Sequence, residues 1–246
     1  MGDEILKIEQ SGLQTADERV QALMENVVNA RTPGFIKSDI VSKSFPVQLQ
    51  MAADRLDGNN PMQPVVEGKY YSQIKGTLNR TGRELDLACP NDGFFVISGS
   101  WGEGYTRDGR LLVTNQGQLV TVAGGYPILG KSGEIQVTPG AKLQITKNGK
   151  VMEGDTEIAQ LRQVRITDLN KLETLNGVIF KSNASNPAQE IDAPEVLSGY
   201  LEAANFNVVD AMMQMTHLNQ VYNMNTNLVR SRDSNLTKAL EMGKMQ

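Results

Sequence analysis

Asn26-Val27-Val28-Asn29-Ala30-Arg31-Thr32-Pro33-Gly34-Phe35 is the stretch on which the fold turns, because a helical pattern runs into it and stops there. Upstream, Leu6, Leu13, Ala16, Val20, Leu23, Val27 and Ala30 recur at three- and four-residue steps after a first interval of seven, the spacing of a helix seam that meets a partner helix. Gly12 weakens only its beginning. Pro33 biases Thr32 out of the helical region and Gly34 permits a turn, so the helix ends here. Asn26 and Asn29 carry amides suited to bonding backbone near that end.

Outward from this stop, residues 35–69 are polar and contain Asp57-Gly58-Asn59-Asn60-Pro61 and Pro64, which reads as an extended connection. From about Tyr70 the grammar becomes short β-prone runs separated by turn dipeptides. Asp108-Gly109, Gln116-Gly117, Gly124-Gly125 and Asn148-Gly149 each stand between such runs and supply the positive φ that tight hairpins need. Strands at this spacing predict an antiparallel meander or barrel. After Pro194 the helical period returns through Val208, Ala211, Met215, Leu218, Tyr222, Asn225, Val229, Arg232, Leu236 and Ala239, with Asn225 a polar entry that sets register.

The expected class is α+β, with N- and C-terminal helices forming a coiled-coil-like domain and a central all-β domain, an antiparallel meander or barrel-like. The expected division is 1–34 for the first helix, 35–69 for the connection, 70–195 for the β domain and 196–246 for the last helix. A lone amphipathic helix is marginal in water until its apolar stripe is covered, so the end segments predict an assembly.

Composition narrows the function. The net charge of −4 and pI near 5.2 give no long-range attraction to phosphate backbones or an anionic membrane, which argues against nucleic acid as a partner. Cys89 is the only cysteine and His217 the only histidine, so an intramolecular disulfide, a four-Cys zinc site and a His-rich metal site are excluded. No apolar run has the length of a secretory signal or a membrane span, so neither membrane insertion nor a cleaved signal peptide is expected. Gly99-Ser100-Trp101-Gly102-Glu103-Gly104 lacks the dinucleotide spacing, and the phosphate-loop, zinc-protease and serine-elbow motifs do not occur. Asp86, Asp92, Glu103 and Asp108 lie near turns, where solvated acids are common. No catalytic residue, cofactor or metal is expected.

Several motifs together resemble the flagellar rod and hook protein family across nearly the whole chain. Asn26 to Phe35 is similar to the family's Asn-Leu-Ala-Asn-x-x-Thr-x-Gly-Phe signature. Thr81-Gly82-Arg83-Glu84-Leu85-Asp86-Leu87-Ala88, Gly93-Phe94-Phe95 and Tyr105-Thr106-Arg107-Asp108-Gly109 follow the order in which the family's β domain opens. Gly199-Tyr200-Leu201-Glu202-Ala203-Ala204-Asn205-Phe206-Asn207-Val208-Val209 resembles its Gly-x-Leu-Glu-x-Ser-Asn-Val-Asn segment. Departures are Cys89-Pro90-Asn91-Asp92 for a shorter link, Ala204 for Ser, Arg31 for a small residue and Tyr222-Asn223 for an aromatic-Glu pair.

The resemblance implies a structural subunit of the periplasmic rod in the flagellar basal body, passed unfolded through the type III export apparatus. Its partners would be copies of itself, homologous rod and hook subunits, and the ring proteins around the rod. The assembly interface it implies comprises Leu13, Val20, Leu23, Asn26, Val27, Asn29, Pro33, Gly34, Phe35, Leu201, Asn205, Val208, Met215, Leu218, Tyr222, Asn225, Val229 and Leu236. Hook proteins of the family carry a further outer domain for which this chain has no room, and the compact stretch Tyr126 to Lys150 favours a proximal over a distal rod subunit. The competing reading is a free-standing β-domain protein, ligand-binding or enzymatic, that uses its helices as an internal clamp.

Overall fold

The computed structural model describes residues 2–42, 66–175, 177–181 and 186–243; the side chains of 2–13, 42, 66–67, 225, 228–229 and 231–243 are outside that description. Helix α1 (Gly2–Val28) comes first, then β1 (Ser38–Ser42), β2 (Val66–Tyr71), β3 (Leu78–Arg80) and β4 (Leu87–Ala88). The hairpin strands β5 (Gly93–Gly99) and β6 (Gly102–Thr106) precede β7 (Leu111–Val113), β8 (Leu119–Thr121), β9 (Leu129–Gly130) and β10 (Gly133–Glu134). Next are β11 (Leu143–Ile145), β12 (Lys150–Glu153), β13 (Thr156–Gln160) and β14 (Gln163–Arg165), and a 3-10 turn at Leu169–Lys171. The chain closes with β15 (Thr174–Leu175), β16 (Ile179–Lys181), β17 (Gln189–Glu190), β18 (Leu197–Ser198), β19 (Tyr200–Glu202) and helix α2 (Val208–Gly243).

These elements group into two compact units, one of residues 1–27, 38–70 and 207–246 and one of 28–37 and 71–206. The second is organised by a six-stranded sheet in the order β15-β16-β6-β5-β14-β17, with all five pairings antiparallel. Its central strand β5 is buried on both faces, which is why Phe94-Phe95-Val96-Ile97 is an unbroken apolar run. Phe95 and Ile97 enter one core with Leu111, Leu119 and Ile128, while Phe94 and Val96 enter the other with Tyr105, Val164 and Phe180. Burial of each of these side chains contributes about 2 kcal/mol. Phe180 anchors the second core, meeting Tyr71 edge-on at 5.3 Å between centroids and Phe94 at 6.0 Å.

The expected α+β class, a coiled-coil-like domain of terminal helices flanking one central meander or barrel, is corrected by this structure. The described residues hold only two α-helices, and most of their elements are β-strands, spread over one six-stranded sheet and six smaller ones. A coiled-coil seam requires both apolar rows of a helix to be covered. On α2, Ala211 is buried, but Val208, Met215 and Leu218 are half-exposed and Tyr222 is exposed. The meander fails because glycine turns limit strands to between two and seven residues, and because β16–β6, β5–β14 and β14–β17 of the large sheet pair strands that are not consecutive in sequence. Gly117 (φ 81°) and Gly149 (φ 70°) do close hairpins, β7–β8 and β11–β12. Asp108-Gly109 instead forms a corner, since β6 pairs with β5 and β16 while β7 pairs with β8.

Phe180→Ala should destabilise the protein by about 3–5 kcal/mol, whereas Ile74→Ala, at a side chain left 74% exposed, should change stability by no more than about 0.5 kcal/mol. Urea unfolding followed by Trp101 emission measures both.

Candidate assembly interface

The N-terminal motif works first on its own chain. Asn26, 1% exposed, donates from Nδ2 to the Ser38 carbonyl at 2.6 Å and accepts from the Ser38 N–H at 3.0 Å. Its side chain thus pairs β1 as a neighbouring strand would, satisfying two buried backbone groups. One residue earlier, Glu25 forms an ion pair with Lys69 of β2. Beyond α1 the turn is local: Thr32 N–H donates to the Asn29 carbonyl (2.9 Å) and Phe35 N–H to the Thr32 carbonyl (3.2 Å).

Gly34 follows with φ 69°, and a Cβ there would lie 2.3 Å from the Arg107 carbonyl carbon and the Asp108 nitrogen. Only glycine gives that conformation and that approach without strain. Its N–H donates to the Glu202 carbonyl (2.8 Å), and Phe35 and Ile36 beyond it are 2% exposed. Asn205 completes the join: Oδ1 accepts from Lys37 N–H (2.6 Å), while Nδ2 donates to the carbonyls of Ser72 (3.3 Å) and Ile74 (2.5 Å). Asn207 caps α2, accepting from Val209 N–H at 3.0 Å.

Beneath this join lies a group of buried charges. Arg107 and Glu202 are each 5% exposed, with Nη1 to Oε1 at 3.4 Å, and the guanidinium stacks 4.5 Å from the centre of the Phe94 ring. Asp108, 2% exposed, takes Arg110 in a forked pair (2.9 and 2.6 Å), and this bond holds the Arg110 guanidinium above its ordinary pKa. Gln163 Nε2 donates to Cys89 Sγ (3.2 Å) and to the Glu195 carbonyl (3.0 Å), and burial pushes the Cys89 thiol far above its usual range. Among the described residues no three His, Cys, Asp or Glu side chains gather as metal ligands, and no helix is long and apolar enough to cross a membrane.

Residues 88–153 match the family described as flagellar hook protein FlgE/F/G D1 domain, and residues 197–242 match flagellar basal body rod FlgEFG protein C-terminal. The chain is similar to the flagellar basal-body rod protein FlgF of Caulobacter vibrioides, 27% identical over 222 residues and 89% of each chain. It is also similar to FlgF of Rhizobium meliloti, 29% identical over 94% of each chain, and to the rod protein FlgG of Buchnera aphidicola subsp. Schizaphis graminum, 28% identical over 96% of this chain and 98% of that one. The two family models and these relatives together support a member of the flagellar rod and hook axial family.

The expected interface of this family member divides by burial. Leu23, Asn26, Gly34 and Phe35 are buried, and Val20, Val27, Asn29, Pro33, Leu201, Asn205, Val208, Met215 and Leu218 are half-buried. Tyr222 is exposed, and the side chains of Leu13, Asn225, Val229 and Leu236 lie outside the described residues, as does 43–65 of the expected connection. The structure brings Gly34, Phe35 and Asn205 together; it exposes Val209, Met212, Met213 and Met224 of α2, none of which the seam spacing selects. Val209, Met212 and Met224 fall one position off the seam and Met213 two, a face legible only once the helix is seen uncovered. Sequence reading also missed Arg107 and Glu202 as a pair, because charges beside a turn or on a three-residue strand ordinarily face solvent.

Asn26→Leu leaves both Ser38 backbone groups buried without a partner and should destabilise the protein by about 2–4 kcal/mol. Chemical denaturation of the variant against the parent chain checks this.

Proposed function

We propose that this chain is a structural subunit of the flagellar basal-body rod, which polymerises into the axle that carries torque from motor to hook. The observation that carries the reading is the match over almost the full length of both chains to proteins named basal-body rod proteins. The proximal part of the rod is the favoured position, and a distal or hook-type place in the same axle is the alternative. Export through the flagellar type III apparatus, and contact with the rings around the rod, belong to this proposal. Catalysis has no part in it.

Burial supports the assembly half of the reading. Val209, Met212, Met213 and Met224 are between 61% and 64% exposed on α2, a cost that contact with a neighbouring subunit removes. Methionine suits such a contact because its unbranched, polarisable chain adapts to irregular surfaces. Asn26, Gly34 and Phe35 serve the interface indirectly, by fixing the segments of chain next to the helices.

Deleting the gene in frame should abolish motility and leave basal bodies with a truncated axle under the electron microscope. Met212→Asp should leave the isolated protein's unfolding midpoint unchanged, because the side chain is exposed, yet reduce its incorporation into basal bodies by tenfold or more. Full-length rods in the deletion strain would refute the rod reading; normal incorporation of Met212→Asp would remove α2's exposed face from the interface.

A further inference from the structure

Three segments far apart in sequence meet over one buried ion pair. The chain arriving from α1 gives Gly34, whose N–H reaches the Glu202 carbonyl, and the chain leaving toward α2 begins at Glu202 itself. The third segment, residues 72–77, lies between them: Gly76 N–H donates to Glu202 Oε1 at 3.0 Å, and Ala203 N–H donates to the Thr77 carbonyl at 2.8 Å. The approach is so close that a Cβ on Gly76 would sit 1.7 Å from the Ala203 oxygen. Glu202 therefore touches all three segments, and the side chain that holds its carboxylate is Arg107, which is rooted in the β unit at the end of β6 and stacked on Phe94 of β5.

Arg107 pays a desolvation penalty for this place. Its Nε is buried with no partner among the described residues, and at 3.4 Å its contact with Glu202 is a single long one. Replacing a buried pair of this kind with neutral groups of similar shape commonly leaves stability unchanged or raises it. Stability alone therefore gives no reason for the pair, whereas its position at the meeting of incoming and outgoing chain does.

We propose that Arg107 and Glu202 form a latch that fastens both chain connections, the one after α1 and the one before α2, to a single point of the β unit. Arg107 is the positioning residue and Glu202 the bolt. Load arriving along one connection passes to the other through a few short bonds and not through the length of chain between them. That consequence rests on the rod reading; the latch itself does not.

Hydrogen exchange on the full-length, dispersed chain tests it. The double variant Arg107→Met with Glu202→Gln keeps an apolar stem on Phe94 and an acceptor for Gly76 while removing both charges. It should unfold at the parent's urea midpoint, with amide exchange at Gly34 and Ala203 at least tenfold faster and exchange in β5 and β6 within a factor of two. The single variant Glu202→Gln, which strands a buried guanidinium, should accelerate exchange in β5 and β6 as well. Unchanged exchange at Gly34 and Ala203 in the double variant would overturn the proposal. So would an acceleration spread equally through β5 and β6, or a double variant that does not fold, either of which would make the pair ordinary core.

Discussion

The β unit depends on a contact between its two ends. β3 pairs with β19 and β4 with β18, both antiparallel, and between them Thr81 and Gly82 donate to the Gly199 carbonyl while Gly199 donates to that of Asp86. Closing so long a loop has an entropic cost that rises only slowly with its length, so a short ladder is sufficient when the intervening cores form together with it. With the loop closed, residues 34–37 lie against 202–205, and Lys37 reaches Asn205 across 168 residues of sequence. Gly34 must then be glycine, because the backbone of the 107–108 corner occupies the space a side chain would need.

What could be read in advance follows from how local each cause is. The buried run Phe94 to Ile97 announces a central strand by composition, and Gln116-Gly117 and Asn148-Gly149 announce hairpins through the φ their glycines supply. Leu78-Asn79-Arg80 announces nothing: all three residues are exposed, and they are a strand only because β19 comes to lie beside them. The inference from helical spacing to a coiled-coil-like domain failed for a related reason. Three- and four-residue steps define a face, but the partner that covers it is not written in the same segment. Arg107 and Glu202 both stand in motifs visible in the sequence, yet a charge beside a turn or on a short strand is indistinguishable from a solvated one until the fold closes over it.

The candidate interface obeys the same division of labour. The polar groups that are most deeply buried, Asn26 on Ser38, Asp108 on Arg110 and Gln163 on Cys89 and Glu195, bond to their own chain and hold architecture. The apolar side chains left exposed include a set on α2, Val209, Met212, Met213 and Met224, which the proposed assembly uses. A subunit of an axle needs this arrangement, with a body stiffened internally by directional bonds and a surface whose non-directional contacts form when copies meet.

The central claim is that closure of the two ends and formation of the core are one cooperative event. Cys89 follows β4 directly and is buried, and Trp101, the only tryptophan, packs on the same core at the far end of the β5–β6 hairpin. A urea titration read in parallel by Trp101 emission and by pulsed thiol labelling of Cys89 reports on this core at the hairpin tip and beside the closing strands. Coincident midpoints are the predicted result; labelling of Cys89 at urea concentrations where Trp101 emission is still native would contradict the account.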